Sequence, residues 1–178
     1  HPCEPTMVCL VIGQPFADFV LEHNPTTSRK ITRDEALQIL REEHERGHMH
    51  AAWFRKICMD RFYCICNCCA CCCACIEGMK RLGTSMMTPS GYAAKIDPDL
   101  CQGCGTCVDT CPFDARTVEG TTSVHDWDSC MGCGACVSQC PSGASTLELD
   151  EGKGVPLDVT QLVEGKRGRS RENELLDE

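Results

Sequence analysis

Two stretches of this chain set thiols at a spacing that serves one kind of chemistry. "CQGCGTCVDTCP" (101–112) and "CMGCGACVSQCP" (130–141) align without a gap at an offset of 29 residues, and each reads C-x-x-C-x-x-C-x-x-x-C-P. A third stretch, "FYCICNCCACCCAC" (62–75), is cysteine at eight of its fourteen positions. Thiols so placed either bridge as disulfides or bind metal as thiolates. Disulfides fit poorly here. The chain has 19 cysteines, an odd number, and many are adjacent or one residue apart, as in Cys68-Cys69 and Cys71-Cys72-Cys73. Neighbours in sequence rarely reach the Cα separation and torsion that a bridge requires. Thiolates converging on a metal meet no such restriction, so the cysteines read as metal ligands in a reducing compartment.

The twin runs resemble the run of bacterial-type two-cluster ferredoxins. The resemblance covers about a third of the chain. It implies two 4Fe–4S clusters and a crossed ligand set. Cys101, Cys104, Cys107 and Cys140 would hold one cluster, and Cys130, Cys133, Cys136 and Cys111 the other. The spacing suits that role. Three thiolates two residues apart on a tight loop can wrap three corners of a cubane, and the fourth must come from elsewhere. Gly103, Gly105, Gly132 and Gly134 let the backbone approach and donate to sulfur. Pro112 and Pro141 turn the chain away just afterwards. Structural zinc sites use pairs of C-x-x-C rather than triplets. Crossed ligation makes the two clusters close neighbours, so an electron can pass between them.

The remaining thiols are Cys3, Cys9, Cys58, Cys64, Cys66, Cys68, Cys69, Cys71, Cys72, Cys73 and Cys75. Adjacent thiolates diverge, so they suit two different clusters or one open cluster of unusual shape. "CNCCACCC" (66–73) resembles the C-N-C-C-x-C-C-C pattern of a group of anaerobe iron–sulfur proteins, in which a C…P…C element is also found; "CEPTMVC" (3–9) is similar to that element. The resemblance implies one or more further iron–sulfur clusters, with Cys66, Cys68, Cys69, Cys71, Cys72, Cys73, Cys3 and Cys9 as candidate ligands. The C-x-C-R stretch of that group is absent. Its absence, with His1 in place of an initial Met, implies an N-terminal truncation or a partner chain supplying thiols. A looser similarity links the run to the paired cysteines of heterodisulfide reductase subunits, which bind open, non-cubane clusters. Zinc or copper(I) storage also uses C-C and C-x-C thiolates and stays open as an alternative. Cys58, beside an apolar stretch, reads as a core thiol.

These ligands need elements to carry them. "FADFVLEH" (16–23) spaces Phe16, Phe19 and Val20 on one helical face, and Asn24-Pro25 stops it. "TRDEALQILREEHERG" (32–47) predicts a helix capped by Thr32, with a capping box to Glu35, a buried stripe of Ala36, Leu37, Ile39 and Leu40, and Gly47 at its end. "IEGMKRLG" (76–83) predicts a short helix, "TPSG" (88–91) a linker, and "YAAKID" (92–97) and "STLELD" (145–150) strands. Trp53, Phe54, Phe62 and Tyr63 read as a wall that keeps water off a cluster in the thiol run; Trp127 and Met131 read as the same beside the second twin run, or as ordinary core. His44, His48 and His50 read as structural or solvated side chains.

The fold expected is α+β: a small pseudo-two-fold ferredoxin-like dicluster domain (93–150) after a cysteine-rich, partly helical N-terminal domain (1–92), with a charged C-terminal tail (151–178). Aromatics are only 5% of the 178 residues, too few for a generous core, so metal must supply cohesion. A formal charge of −9 argues against nucleic acid, and two thiolate-bound clusters would add about four more negative charges. Such a surface suits a basic face on a redox protein partner within a multi-subunit oxidoreductase complex. The short basic run "GKRGRSR" (165–171) reads as a solvated tail or a dock for an acidic partner. No apolar run is long enough for a membrane span and no signal peptide is legible, which makes the expected location cytoplasmic. No nucleophile elbow, phosphate loop, dinucleotide motif or haem attachment occurs, and no catalytic residue is assigned. The reading is single-electron transfer. Two alternatives are an oxidoreductase subunit with an open cluster acting on substrate, and metal or cluster storage and transfer.

Overall fold

A computed structural model of the chain describes residues 8–55 and 61–158. Cys3, Cys58 and the basic run at 165–171 lie outside the described residues.

The three helices expected in the first half are present. α1 spans Phe16–His23 and α2 spans Arg33–Glu45. At α2 the Thr32 hydroxyl accepts the Glu35 N–H at 3.2 Å. The Glu35 carboxylate pairs with Arg29 at 2.5 Å, so the expected box is made from one side. Gly47, with φ of 78°, turns the chain out just beyond the helix end. The expected apolar stripe is only half-buried, and the one fully buried residue of α2 is Glu43, at 0% exposure. The helix presses its C-terminal end, not its middle, onto the protein, and there Glu43 is enclosed by Arg46 and His48. α3 spans Ala74–Leu82, two residues earlier in its start than the pattern indicated. Gly83 closes it in the left-handed conformation, its N–H on the Met79 carbonyl at 3.0 Å.

Between these helices lies a sheet that the thiol count hid. β1 (Leu10–Val11), β2 (Met49–Arg55) and β3 (Arg61–Cys68) form an antiparallel sheet in the order β1-β3-β2. β3 is thus the central strand. Its pleat of period two sets Cys64, Cys66 and Cys68 on one face.

The second half carries β4 (Tyr92–Ile96) paired antiparallel with β7 (Ser145–Leu149), in register from Tyr92↔Leu149 to Ile96↔Ser145, where strands were expected. A hairpin of β5 (Arg116–Glu119) and β6 (Thr122–His125) and two short helices, α4 (Thr106–Thr110) and α5 (Ala135–Ser138), complete it. One core joins the two halves. Met49, Cys68 and Ile76 pack in the same cluster as Ala94, Cys107, Phe113, Ala115, Cys130 and Cys136.

Two segments are more tightly held than their composition implied. In the expected linker, Ser90 donates its N–H to the Met131 carbonyl at 3.1 Å and its hydroxyl to the Gly132 carbonyl at 2.8 Å. At the start of the expected tail, Glu151–Lys153 forms a 3-10 turn. Lys153 is buried, its Nζ 3.9 Å from the centre of the Trp127 ring. Trp127 itself is 40% exposed and donates to Asp150 at 2.7 Å. Its ring and indole N–H hold the Asp150–Lys153 turn in place. Met131 does pack against the core. Among the described residues no helix is long and apolar enough to cross a membrane.

Candidate metal centres

The twin runs fold alike because their glycines fall alike. Gly105 and Gly134 take the left-handed conformation, at φ of 81° and 80°, and each starts a short helix. The third cysteine of each run, Cys107 or Cys136, therefore sits buried in the first turn of α4 or α5. Cys130 is also buried, Cys104 is exposed, and Cys101, Cys111, Cys133 and Cys140 are half-buried.

Electrostatic interactions between these thiols run from one repeat to the other: Cys111 interacts with Cys130, Cys133 and Cys136, and Cys104 with Cys140. Burial pushes the Cys133 thiol up to about 12, and negative charge on Cys111, Cys136 and Cys130 adds to it. The Cys111 thiol is raised by burial and then by the charges of Cys136 and Cys130. Cys111, the last cysteine of the first run, thus lies among the first three of the second. On the other side Cys104 is held low by the Thr106 hydroxyl, against the opposing charge of Cys140. At Cys140 burial is outweighed by the Ser142 hydroxyl and by the amides of Ser145, Ser142 and Ala144. Buried thiols of raised pKa release protons when they become metal ligands.

Donors surround the sulfurs. The Ser123 amide donates to Cys101 at 3.4 Å, while the Cys107 thiol itself donates to the Ser123 hydroxyl at 3.1 Å. The Ala115 amide donates to Cys111 at 3.3 Å. The Cys136 sulfur receives Arg116 Nη2 at 3.4 Å and the Ser145 hydroxyl at 3.6 Å. Such donors stabilise ligated thiolate and tune a bound cluster. Ser123, Arg116 and Ser145 carry no motif; the β5–β6 hairpin and β7 deliver them.

The thiol run divides in two. An inner group gathers on the Cys face of β3. Cys66 is held low first by donation from the Cys64 thiol, then from Cys68 and Cys9. In return Cys64, Cys68 and Cys9 are raised chiefly by their contact with Cys66. Cys73 joins through Cys68. The outer group is Cys69, Cys71 and Cys72, whose sulfurs all lie within 4.8 Å of one another, at 3.0 Å for Cys69–Cys71 and 2.9 Å for Cys69–Cys72. Cys71 and Cys72 are exposed. Burial and the neighbouring thiols push Cys72 up to about 12. The charge of Cys72 also reaches Cys9, so the two groups adjoin.

The motif reading left Cys64 unassigned. Its signal is the alternation Cys64-x-Cys66-x-Cys68, which marks one face of a strand. The aromatics beside the run pack in pairs: Phe54 and Phe62 at 5.3 Å between ring centres, and Phe16 and Tyr63 at 5.6 Å. The histidines hold the scaffold. His48 meets Glu43, and His50 meets the buried Asn67 at 2.6 Å, which in turn donates to the Val8 carbonyl at 2.6 Å.

The residues fit iron–sulfur clusters. Among the described residues no cysteine is joined in a disulfide, backbone amides point at sulfur, and the buried Arg116 guanidinium has one nitrogen, Nη1, without a hydrogen-bond partner. A Cβ on Gly132 would fall 2.1 Å from the Tyr92 carbonyl oxygen, so the loop between Cys130 and Cys133 is pressed directly on β4. No curated protein matches the chain. Residues 93–141 match the family described as "4Fe-4S dicluster domain", and this part of the chain is such a domain.

Proposed function

We propose that the chain is an iron–sulfur electron-transfer protein or subunit that relays single electrons between a redox partner and a larger oxidoreductase. In this reading Cys101, Cys104, Cys107 and Cys140 hold one 4Fe–4S cluster, and Cys130, Cys133, Cys136 and Cys111 hold the other, in two halves related by an approximate two-fold. The inner thiols Cys9, Cys64, Cys66, Cys68 and Cys73 hold at least one further cluster. The observation that carries it is the crossed gathering of Cys111 with Cys130, Cys133 and Cys136 inside a 4Fe-4S dicluster domain. Bound clusters of this kind accept and return one electron without bond making.

The protein's own residues do the rest. Short loops fix the thiolates, and the amides of Ala115 and Ser123 support negative charge on sulfur. Ile76, Phe113 and Ala94 keep water out. The shared core packs residues of the thiol-rich sheet against those of the dicluster domain.

The test is anaerobic preparation with iron and acid-labile sulfide counted and EPR recorded. About eight irons per chain fill the dicluster pair alone, and about twelve or more place a cluster in the thiol run. A compact but colourless, iron-free protein would overturn the proposal. The convergence of the half-buried Cys69 with the exposed Cys71 and Cys72 favours a second reading, in which this trio receives and passes on a thiophilic metal. Stoichiometric zinc or copper that exchanges with a soluble chelator while the dicluster signals persist would select it.

A further inference from the structure

We infer that Arg116 sets the order in which the two clusters are reduced, by holding a cation against the thiolates of only one of them. This rests on the two-cluster reading above.

The two runs repeat at 29 residues, and the repeat continues past the last cysteine. Cys111-Pro-Phe-Asp-Ala-Arg116 aligns with Cys140-Pro-Ser-Gly-Ala-Ser145. The equivalent positions thus carry a cation in one half and a hydroxyl in the other. Both face inward: Arg116 and Ser145 are each 3% exposed. Arg116 Nη2 lies 3.4 Å from the Cys136 sulfur and 3.3 Å from the Ser145 hydroxyl. Its Nη1 is buried and has no hydrogen-bond partner. Among the described residues no carboxylate lies within ion-pair distance of it; the ion pairs involve Arg29, Arg46, His48, Lys80 and Arg81 instead.

A guanidinium does not give up its proton, and burying its charge without a counter-ion is costly. The anionic group within its reach is the thiolate of Cys136, and behind it the set completed by Cys111, Cys130 and Cys133. Among the described residues the hydrogen bonds at the other set involve neutral groups: the Ser123 amide donates to Cys101, and the Cys107 thiol donates to the Ser123 hydroxyl. His125, the register partner of Arg116 on β6, adds no second cation, since burial and Arg116 both favour its neutral form.

The consequence is electrostatic. Reduction adds one negative charge; no bond forms or breaks and no proton moves. A fixed cation stabilises the more negative state of its own site more than that of its neighbour. The site of Cys111, Cys130, Cys133 and Cys136 therefore takes the first electron from a low-potential donor, and transfer from the site of Cys101, Cys104, Cys107 and Cys140 runs downhill towards it.

The experiment is an EPR-monitored redox titration of the full chain, prepared without air, as wild type, Arg116→Gln and Arg116→Lys, with iron counted in each. In Arg116→Gln one signal should shift to lower potential, so that its reduced-to-oxidised ratio at fixed potential falls about tenfold, or about 59 mV for one electron. The second signal should move much less, and Arg116→Lys should stay close to wild type. Unchanged midpoints in an iron-replete Arg116→Gln overturn the inference, as does a shift in Arg116→Lys equal to that in Arg116→Gln. If Arg116→Gln takes up too little iron to titrate, Cys104→Ser decides. The signal it leaves unaltered belongs to the Cys111 set and must be the first reduced in wild type; if that signal is reduced second, the inference fails. Iron-free wild type would instead sink the two-cluster reading beneath it.

Discussion

Replacing Gly132 by Ala should damage this protein far more than the same change at Gly105, although both glycines sit in the twin cysteine runs with positive φ. Both positions are left-handed, at 64° and 81°, so each alanine carries a backbone penalty of about 1–2 kcal/mol. The surroundings separate them. A Cβ on Gly105 meets nothing within 4 Å. A Cβ on Gly132 would lie 2.1 Å from the Tyr92 carbonyl oxygen, 2.4 Å from the Ser90 hydroxyl and 2.8 Å from the Tyr92 carbonyl carbon. Two of those three atoms are backbone of β4 and cannot rotate aside, so the loop or the strand must shift. Forced overpacking of that kind costs about 1–3 kcal/mol. The total for Gly132→Ala is about 2–5 kcal/mol, which for a chain of this length is roughly 4–20 °C in Tm. Gly105→Ala should lose no more than about 2 kcal/mol. The assay is thermal unfolding under anaerobic conditions, followed by loss of visible absorbance, with iron and sulfide counted beforehand. Gly132→Ala should also bind less iron, because Cys130 and Cys133 flank the displaced residue. Equal Tm values for the two variants would refute the reasoning that the Cys130–Cys133 loop is seated on β4.

Other outcomes follow from the same geometry. Cys111→Ala should abolish or alter the signal of the cluster assigned to Cys130, Cys133 and Cys136; loss of the other signal alone, by EPR, contradicts the crossed sets. Cys64→Ser should lower metal content in the thiol-rich region as much as Cys66→Ser does, since both sulfurs share one face of β3 and lie 3.8 Å apart; full metal content in Cys64→Ser removes it from the site. Changing Cys69, Cys71 and Cys72 together to Ser should deplete metal beyond the dicluster pair and leave both dicluster signals intact, because these thiols converge apart from the twin runs. Simultaneous loss of the dicluster signals would mean that the trio supports the fold rather than its own site.

Much of the dicluster half was legible before any fold was known. The repeat, the glycines and the strand-forming ends at 92–97 and 145–150 are local patterns, and each lies where expected. Helix ends were legible for the same reason, since caps such as Thr32 and Gly83 act within one turn. The thiol-rich half was harder. Cysteine drew attention as a ligand, so "RFYCICNC" was not recognised as the central strand of a sheet, and Cys64 was left without a role. α2 misled in another way: its apolar residues suggested a buried stripe, while docking of its C-terminal end enclosed Glu43 instead. Trp127 was read by its type, and only the return of Lys153 onto its ring shows that it also holds the Asp150–Lys153 turn.

The ligand chemistry is written in the chain: thiol type, spacing, and the glycines that make tight loops possible are covalent facts, and they restrict the ligand loops to few shapes. The folded arrangement alone shows which thiols meet across the chain, that Arg116 is buried against Cys136 without a carboxylate partner among the described residues, and how the thiol run splits into an inner and an outer group. The physical reason is range. Ligand spacing acts over a few residues, whereas burial, charge and contact depend on elements that lie far apart in the chain and come together only when the core closes.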